Sequence, residues 1–598
     1  MINIRSLASA LLATTLGATA YGAATLGAAT LGAGAAAAQP PSDEVPGQAE
    51  PFIETVNVEV VNIDVYVTDG DGSPVLGLTK DDFELYVGGK QVPISNFYAV
   101  GSGLSRVESA DRGSDPRAEE PEQEAAGDPR EAVELALEQP PPPDQRLHVV
   151  VYIDNYNLTP FKRNRVMSEL RVFLRDQLTP HDQVMLVSYD RSLHMREPFS
   201  ARPESVTRAM LELEDMSAQR VHLDRERIDI MRRIEDAENV TEALAIARIF
   251  AGSIRNDVSF TIDALRWIVD GLAGSPGRKA VLYVSEGLPM IAAEDVFYAI
   301  QQKFKEKASL NELFEYDMSR RFEELANQAN TNRVSFYTID ARGLTVLSQG
   351  TVDYDVAGAA GERTFLDGIL RSNTQSTIQM LAERTGGRAI INANRIQPDL
   401  LKVSRDFRNY YSLGYLLPEQ VDGRFREIEV RLKERQRGWT VRHQHGFRAK
   451  SLESKMHDGT LSALHLDLQD NPLDARILVG RPTPRESGLF DVPLAISVPW
   501  DNLLLLPREG RNLGRLNIWF VAKDQDDEMS DVQKIPLEIE ISDEDLEARK
   551  GTDYVYGFEL HMEAGYHDVA IGIYDQIGGR SAFLRRGVPV GQVGTAGR

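Results

Sequence analysis

The sequence predicts a multidomain protein in which a central α/β domain with a doubly wound parallel sheet is flanked by all-β modules. Between residues 146 and 450, short apolar runs alternate with amphipathic helical segments, the pattern of a parallel sheet covered by helices. Residues 52–100 and 460–598 instead alternate apolar with polar side chains, which predicts an N-terminal β module and a C-terminal β-sandwich. At 598 residues the chain is too long for a single hydrophobic core.

The N-terminus carries the pattern of an export signal. Arg5 supplies a weak positive charge, a long stretch rich in Ala, Leu and Thr follows, and Ala36–Ala38 form a small-residue cleavage site. We therefore expect residues 1–38 to be a signal peptide and the mature protein to be periplasmic or extracellular. The alternative is that this segment is retained as a membrane anchor. No later segment approaches about 18 consecutive apolar residues, so no stable membrane span is expected after signal cleavage.

The charge balance argues against a nucleic-acid partner. The chain has 90 Asp and Glu residues against 66 Lys and Arg residues, a net charge of −24, whereas phosphate binding needs clustered basic residues. The sequence contains no cysteine, which excludes disulfide bonds and thiolate metal sites. An exported chain of this size without cysteine is more typical of bacteria than of animals.

The N-terminal β module, 52–100, is followed by a predicted linker, 101–145. Alternating valines and an Asp-Gly-Asp-Gly turn predict short strands joined by hairpins in the β module. The linker has twelve acidic residues against four basic ones and includes Pro140–Pro143, a composition that cannot bury a core. We interpret it as a solvated spacer, with the binding of cations or basic partners as the alternative.

The apolar periodicity predicts the order of elements within 146–450. The predicted strands are 148–154, 183–189, 280–285, 334–339, 388–392 and 410–416. The predicted helices are 160–178, 203–215, 260–273, 292–329, 373–385 and 398–407. Residues 217–252 carry extra, strongly charged helical sequence between the second and third strands. We interpret them as an insertion near the loops at the edge of the sheet.

Three of the predicted strands end at acidic side chains. The run His148–Ile153 is followed by Asp154, the run Ala280–Ser285 by Glu286, and the run Arg333–Ile339 by Asp340. In an open α/β sheet, ligands bind at the carboxyl ends of the strands. Asp154 and Glu286 are therefore expected to converge along one edge of the sheet.

Four parts of the chain carry a family pattern: Val65–Glu84, Asp154–Pro160, Pro276–Gly287, and Leu381–Arg388 with Arg408–Tyr415. Together they resemble a group of exported bacterial proteins related to von Willebrand factor A, over roughly 52–448. The resemblance implies a central α/β domain that presents a metal-ion-dependent adhesion site to a protein partner. Such a site holds Mg²⁺ with oxygen ligands from three loops and leaves one position for a carboxylate of the partner.

The resemblance also places particular residues at the metal site. Asp154 stands at the aspartate of the family pattern Asp-x-Ser-x-Ser, whereas Tyr156 and Leu158 replace its two serines. Ser259 falls near the position of the family's threonine, and Glu286 replaces its second aspartate. The resemblance thus implies a degenerate Mg²⁺ site with the ligands Asp154, Asn157, Ser259 and Glu286, and Thr159 is the alternative to Asn157 as an oxygen donor.

The leading functional hypothesis is an exported, non-enzymatic binding or adhesion protein that engages a protein partner through this site. One alternative is a metal-dependent hydrolase in which Asp154 and Glu286 act as paired carboxylates with a metal-activated water. Another is a metal-free structural component of the cell envelope, in which Asp154 and Asn157 only cap a turn. The sequence contains no nucleophile elbow, zinc-binding His-Glu-x-x-His motif, phosphate loop or dinucleotide fingerprint, which weighs against an enzyme.

Overall fold

The computed structural model describes residues 60–101, 104–109, 146–305, 307–344, 359–417, 423–434, 436–485 and 488–591. The predicted signal peptide over 1–38 and most of the predicted linker over 101–145 lie outside the described residues. Within the described ranges, no helix combines the length and the apolar character needed to cross a membrane.

The strands are β1 (Val60–Thr68), β2 (Phe83–Val87), β3 (Lys90–Val92), β4 (Asn96–Gly101), β5 (Leu104–Ser109), β6 (Leu147–Ile153), β7 (Gln183–Tyr189), β8 (Leu193–Ser200), β9 (Arg278–Ser285), β10 (Val334–Asp340), β11 (Ala389–Ile390), β12 (Tyr410–Leu416), β13 (Phe425–Leu432), β14 (Thr440–His443), β15 (Gly446–Arg448), β16 (Arg476–Val479), β17 (Thr483–Pro484), β18 (Phe490–Pro499), β19 (Leu506–Arg508), β20 (Arg511–Lys523), β21 (Gln533–Ser542), β22 (Asp553–Met562), β23 (Gly565–Asp575) and β24 (Arg580–Val590). The α-helices are α1 (Pro160–Gln177), α2 (Pro203–Glu214), α3 (Arg220–Asp236), α4 (Val240–Gly271), α5 (Glu294–Phe304), α6 (Ser319–Thr331), α7 (Ala359–Arg384), α8 (Gln397–Arg408), α9 (Leu452–Leu466) and α10 (Asp543–Ala548). Short 3-10 helices lie at Lys80–Asp82, Asn155–Asn157, Lys307–Phe314 and Trp500–Asn502.

A six-stranded sheet forms the central α/β domain, in the order β11-β10-β9-β6-β7-β8. Neighbouring strands are parallel from β11 to β7, and the edge strand β8 is antiparallel to β7. The chain enters in the middle of the sheet at β6, builds outward to β8, and then returns to build β9, β10 and β11 on the other side. The strand order therefore reverses between β6 and β9, and a topological switch point lies at the ends of these two strands.

Helices cover both faces of this sheet because β6 is apolar on both sides. Val149, Val151 and Ile153 pack with α1, α2 and α8 in one cluster. Val150 and Tyr152 point the other way and pack with α4, α6 and α7 in a second cluster. Alternate residues of a strand face opposite sides of the sheet, so an uninterrupted apolar run is what a strand buried between two helical layers requires.

The parallel sheet predicted from the sequence is present, with local differences. The predicted insertion 217–252 corresponds to α3 and the first part of α4, a single helix of 32 residues that continues through the predicted helix 260–273. The predicted helix 292–329 is divided into α5, a 3-10 helix and α6, because Lys305 adopts a left-handed conformation (φ 56°) and ends α5. The edge strand β8 was not predicted.

The N-terminal strands do not form a separate module. They share one sheet, β14-β1-β12-β4-β5, and a second sheet, β15-β13-β2-β3, with strands that follow the α/β domain. Tyr411 and Leu413 of β12 pack in the core of this sandwich with Ile63 and Phe97. The predicted strand 410–416 was assigned to the parallel sheet, but it pairs with β1 and β4. Periodicity identifies a strand, whereas its partner strand depends on contacts that are distant in sequence.

Buried arginines join this sandwich to the base of the parallel sheet. Arg278 at the start of β9 is buried, and its guanidinium carbon lies 3.8 Å from the centre of the Tyr410 ring. Asp406 in α8 accepts hydrogen bonds from Arg388 and from Arg442 of β14, the shortest of them 2.7 Å in each case. The sandwich and the α/β domain are therefore connected by a desolvated cation–π contact and a shared carboxylate.

The C-terminal region packs on the α/β domain through α9. Its strands form one sheet from β16, β17, β18 and β22, and a second from β19, β20, β21, β23 and β24. Helix α9 packs against β20, β23 and α4. The approach is close at Gly274, where an added Cβ would lie 2.2 Å from the Cα of Gly459, so larger residues at this contact would separate the two backbones.

The buried His148 of β6 makes the stability of the central domain depend on pH. Burial, with repulsion from Lys279 and Arg146, lowers its pKa from 6.5 to about 4. Above pH 6.5 the His148 imidazole is neutral in both the folded and the unfolded chain. As the pH falls from 6.5 towards 4, the imidazole binds a proton in the unfolded chain but not in the folded chain, so the free energy of unfolding decreases. The loss amounts to about 3 kcal/mol.

We therefore expect the unfolding free energy of His148→Phe, which keeps an aromatic ring against Phe199, to fall less steeply than that of the wild type between pH 7 and pH 4. Urea unfolding at several pH values measures both slopes. Equal slopes would show that His148 is not the group responsible.

Candidate strand-end site

The first loop of the site follows β6 directly. The Asp154 N–H donates to the carbonyl of Val284 (2.9 Å), which ties the end of β6 to β9. Asn155–Asn157 then form a 3-10 turn that Asp154 caps by accepting from the Asn157 N–H (3.2 Å). Thr159 is extended and Pro160 begins α1, where a proline is favoured because no N–H is needed.

Asp154 is fully buried and surrounded by hydrogen-bond donors. Its Oδ2 accepts from the hydroxyls of Tyr283 and Ser285, both at 2.8 Å, and from Asn157 Nδ2 at 3.0 Å. Burial raises the pKa of the Asp154 carboxyl, and the hydrogen bonds from Tyr283, Ser285 and Asn157 act in the opposite direction. The three side-chain donors replace much of the hydration that this carboxylate loses in the interior.

Glu286 follows β9. Its carboxylate is held by Thr159, which directly precedes α1, and by Lys162 in the first turn of α1. Its Oε1 accepts from the N–H (2.8 Å) and the hydroxyl (2.9 Å) of Thr159. Its Oε2 lies 2.8 Å from the Nζ of Lys162, whose side chain is 31% exposed while that of Glu286 is 3% exposed. A buried carboxylate is thus neutralised by an ammonium group that still reaches solvent.

The structure brings three of the four predicted ligands together. Asp154 and Asn157 share one turn, and the Glu286 N–H donates to the Asn157 carbonyl at 3.3 Å. Ser259 lies instead in the middle of α4 and is half-buried. The α4 residue that bonds to the first loop is Asp257, which accepts from the Tyr156 hydroxyl at 2.7 Å. Because each helical residue turns about 100°, Ser259 lies roughly on the opposite side of α4 from Asp257.

The donor set does not fit a divalent cation. Mg²⁺ prefers several free oxygen ligands in octahedral geometry, yet both carboxylates already accept bonds from N–H and O–H groups, and Leu158 is fully buried at one of the family's hydroxyl positions. The Lys162 ammonium donates to Glu286 Oε2 at 2.8 Å and already balances the charge of that carboxylate. Across the part of the chain that the structure describes, no group of three or more His, Cys, Asp or Glu side chains is arranged to hold a metal.

Three residues of this strand-end site were not predicted from the sequence: Lys162, Tyr283 and Ser285. Tyr283 and Ser285 are two residues apart on β9, so they share one face, and this spacing is a signal that sequence reasoning can use. Lys162 carries no comparable signal. Its position depends on where α1 begins and on how far its first turn lies from the end of β9.

No family model and no curated protein matches this sequence. The conserved hypothetical protein BatB from Bacteroides thetaiotaomicron is similar in structure, with 11% identity over 44% of this chain and 96% of that chain and a TM-score of 0.21. An aerotolerance-related membrane protein from Bacteroides fragilis has 10% identity over 44% of this chain and 98% of that chain, with a TM-score of 0.21. Similarity at this level does not establish a shared fold.

Proposed function

We propose that the chain is an exported, non-enzymatic binding protein with a von Willebrand factor A-like central domain, and that it engages a protein partner at the strand ends without a metal ion. The observation that carries the proposal is the contact of 2.8 Å between Lys162 Nζ and Glu286 Oε2. It supplies a fixed positive charge at the position where related domains are expected to hold a cation. The export signal predicted over residues 1–38 supports a periplasmic or extracellular location.

The surface beside Lys162 has the composition of a contact surface. We call Phe161, Lys162, Arg165 and Leu344 the strand-end rim. Phe161 is 82% exposed and Leu344 is 57% exposed. Arg165 donates to the Ala341 carbonyl at 2.7 Å and so holds α1 against the loop that carries Leu344. Aromatic residues and arginine are enriched in protein interfaces relative to the rest of the surface.

The charge of the rim indicates the chemistry of the partner. The Lys162 ammonium has three N–H donors, of which one contacts Glu286, so others remain for an acceptor on the partner. We infer that the partner presents an acidic side chain next to an apolar one. The carboxylate would accept from Lys162 while the apolar group packs on Phe161. Charge complementarity of this kind contributes mainly to specificity and to the rate of association.

The same contacts support a binding role over hydrolysis. A general base needs a carboxylate that is free to take a proton from water or substrate. Asp154 is fully buried and already accepts three side-chain hydrogen bonds, and Glu286 is engaged by Thr159 and Lys162.

We expect Phe161→Ser to abolish partner capture, because it removes the aromatic side chain on which the partner's apolar group would pack and leaves the buried contacts in place. The matched control is Phe314→Ser, since Phe314 is 83% exposed but lies outside the rim. Pull-down from envelope extract with and without a chelator, followed by mass spectrometry, measures which proteins bind wild type and Phe314→Ser but not Phe161→Ser. The same proteins bound to all three baits would contradict the proposed rim. Capture lost on chelation would contradict its independence from metal.

A further inference from the structure

A cavity of about 70 Å³ lies beneath α3, beside the strand-end site. Its walls come from α3, α4, α7 and the loop after β9. The apolar part of the lining includes Leu223, Phe250, Ile254, Val258, Leu288 and Leu370. A mostly apolar lining with a few polar groups is the usual form of a small-molecule site. This cavity is smaller than the roughly 300–1,000 Å³ that is usual for such sites, so it admits only a ligand of few atoms.

The cavity exists because the insertion forms its roof. The Gln219 N–H, just before α3, donates to the Asn155 carbonyl at 3.3 Å, and the Arg220 N–H donates to the Leu158 carbonyl at 3.3 Å. At the other end of α3, the Lys303 ammonium lies 2.6 Å from the Ala237 carbonyl. The helix is thus fixed at both ends, to the first loop of the strand-end site and to α5.

The charged side chains in the wall require no counter-charge from a ligand. They are paired within the protein: Arg220 with Asp224 at 2.9 Å, Arg227 with Asp295 at 2.6 Å, and Asp257 with the Tyr156 hydroxyl at 2.7 Å and Arg191 at 3.1 Å. Bringing a further charge into a partly desolvated apolar site without a partner is costly. The lining therefore favours a neutral ligand over an ionic one.

One polar group in the lining keeps an acceptor for a ligand. Asn157 lines the cavity, and its backbone N–H and its Nδ2 both donate to Asp154. Its side-chain Oδ1 is then the atom that can accept a hydrogen bond from the cavity side. An acceptor in a largely apolar site selects a ligand with a matching donor, because an unpaired polar group in such a site costs free energy.

We propose that this cavity binds a small neutral molecule that has an apolar body and one O–H or N–H donor directed at Asn157. The apolar body packs between Leu223 on α3 and Ile254 on α4, and the donor reaches the first loop of the strand-end site. This function is separate from partner binding at the strand-end rim and does not depend on it.

Saturation-transfer difference NMR with phenol as the probe tests the proposal on the whole chain. Ile254→Trp fills the cavity, and Ile249→Trp is the matched control, since Ile249 lies on the same helix and is 78% exposed. We expect a phenol signal with wild type and Ile249→Trp, a fall to background with Ile254→Trp, and no signal from benzoate. If Ile254→Trp does not fold, Leu223→Trp fills the cavity from the roof.

Three results would overturn the proposal. The first is no phenol signal with the wild type, and the second is an undiminished signal with the filled variant. The third is an equal signal from benzoate, which would show that the site does not exclude a charged ligand. Phe161→Ser should bind phenol like the wild type, so a failure at the strand-end rim can be distinguished from a failure at the cavity.

Discussion

Asp406→Ala should destabilise the folded protein by about 3–5 kcal/mol, because it removes one carboxylate from between two largely buried guanidinium groups. Asp406 is 2% exposed and accepts from Arg388 at 2.7 and 3.0 Å and from Arg442 at 2.7 Å. Without it, both arginines remain desolvated at the junction of the β-sandwich and the α/β domain. Guanidinium-induced unfolding, followed by far-UV circular dichroism, measures the loss.

The control for this junction is Asp399→Ala on the same helix. Asp399 pairs with Lys402 at 2.8 Å, but both side chains are about one-third exposed, so its removal should cost less than about 1 kcal/mol. A loss below about 1 kcal/mol for Asp406→Ala as well would show that the junction does not depend on its buried ion pairs.

Asp154→Ala should cost about 3 kcal/mol, since it leaves the Tyr283 hydroxyl, the Ser285 hydroxyl and the Asn157 amide buried without their acceptor. The loss arises at the strand-end site and not from any change in the apolar core, because Asp154 contributes only polar contacts there. The measurement is the free energy of unfolding in urea.

Asp154→Asn is the informative comparison for that site. It keeps the shape and one acceptor oxygen but places an N–H₂ group against at least one donor, so its cost should fall between wild type and Asp154→Ala. If Asp154→Ala were as stable as the wild type, the hydrogen bonds of 2.8 Å from Tyr283 and Ser285 would contribute nothing to the fold.

The fold of the central domain was largely predictable from local pattern. The apolar run of β6 and the run that ends at Ser285 identify two neighbouring parallel strands, and their ends place Asp154 and Glu286 on one edge. The partners of β12 were not predictable in this way, because its Tyr411 and Leu413 pair with β1 and β4, which lie more than 300 residues away in the sequence. Alternation of apolar and polar residues indicates that a strand is half-buried, but it does not identify the strand with which it pairs.

The candidate site was predictable in position but not in chemistry. The resemblance put Ser259 near the site, whereas on α4 its side chain lies roughly opposite that of Asp257, the residue that bonds to the first loop. Lys162 was missed because a lysine in the first turn of a helix is ordinary in sequence. The role of Lys162 depends on the three-dimensional structure, in which the first turn of α1 brings the Lys162 ammonium to the buried Glu286 carboxylate.

In the proposed metal-free site the Lys162 ammonium takes the place of the expected cation, and a Mn²⁺ titration of the wild-type protein tests this directly. An ion that binds the folded chain must raise its melting temperature. We predict no shift up to millimolar Mn²⁺, because Glu286 is already neutralised and Asp154 is enclosed by donors. A melting temperature that rises with Mn²⁺ concentration in the wild type, and no longer rises in Asp154→Asn, would contradict the account.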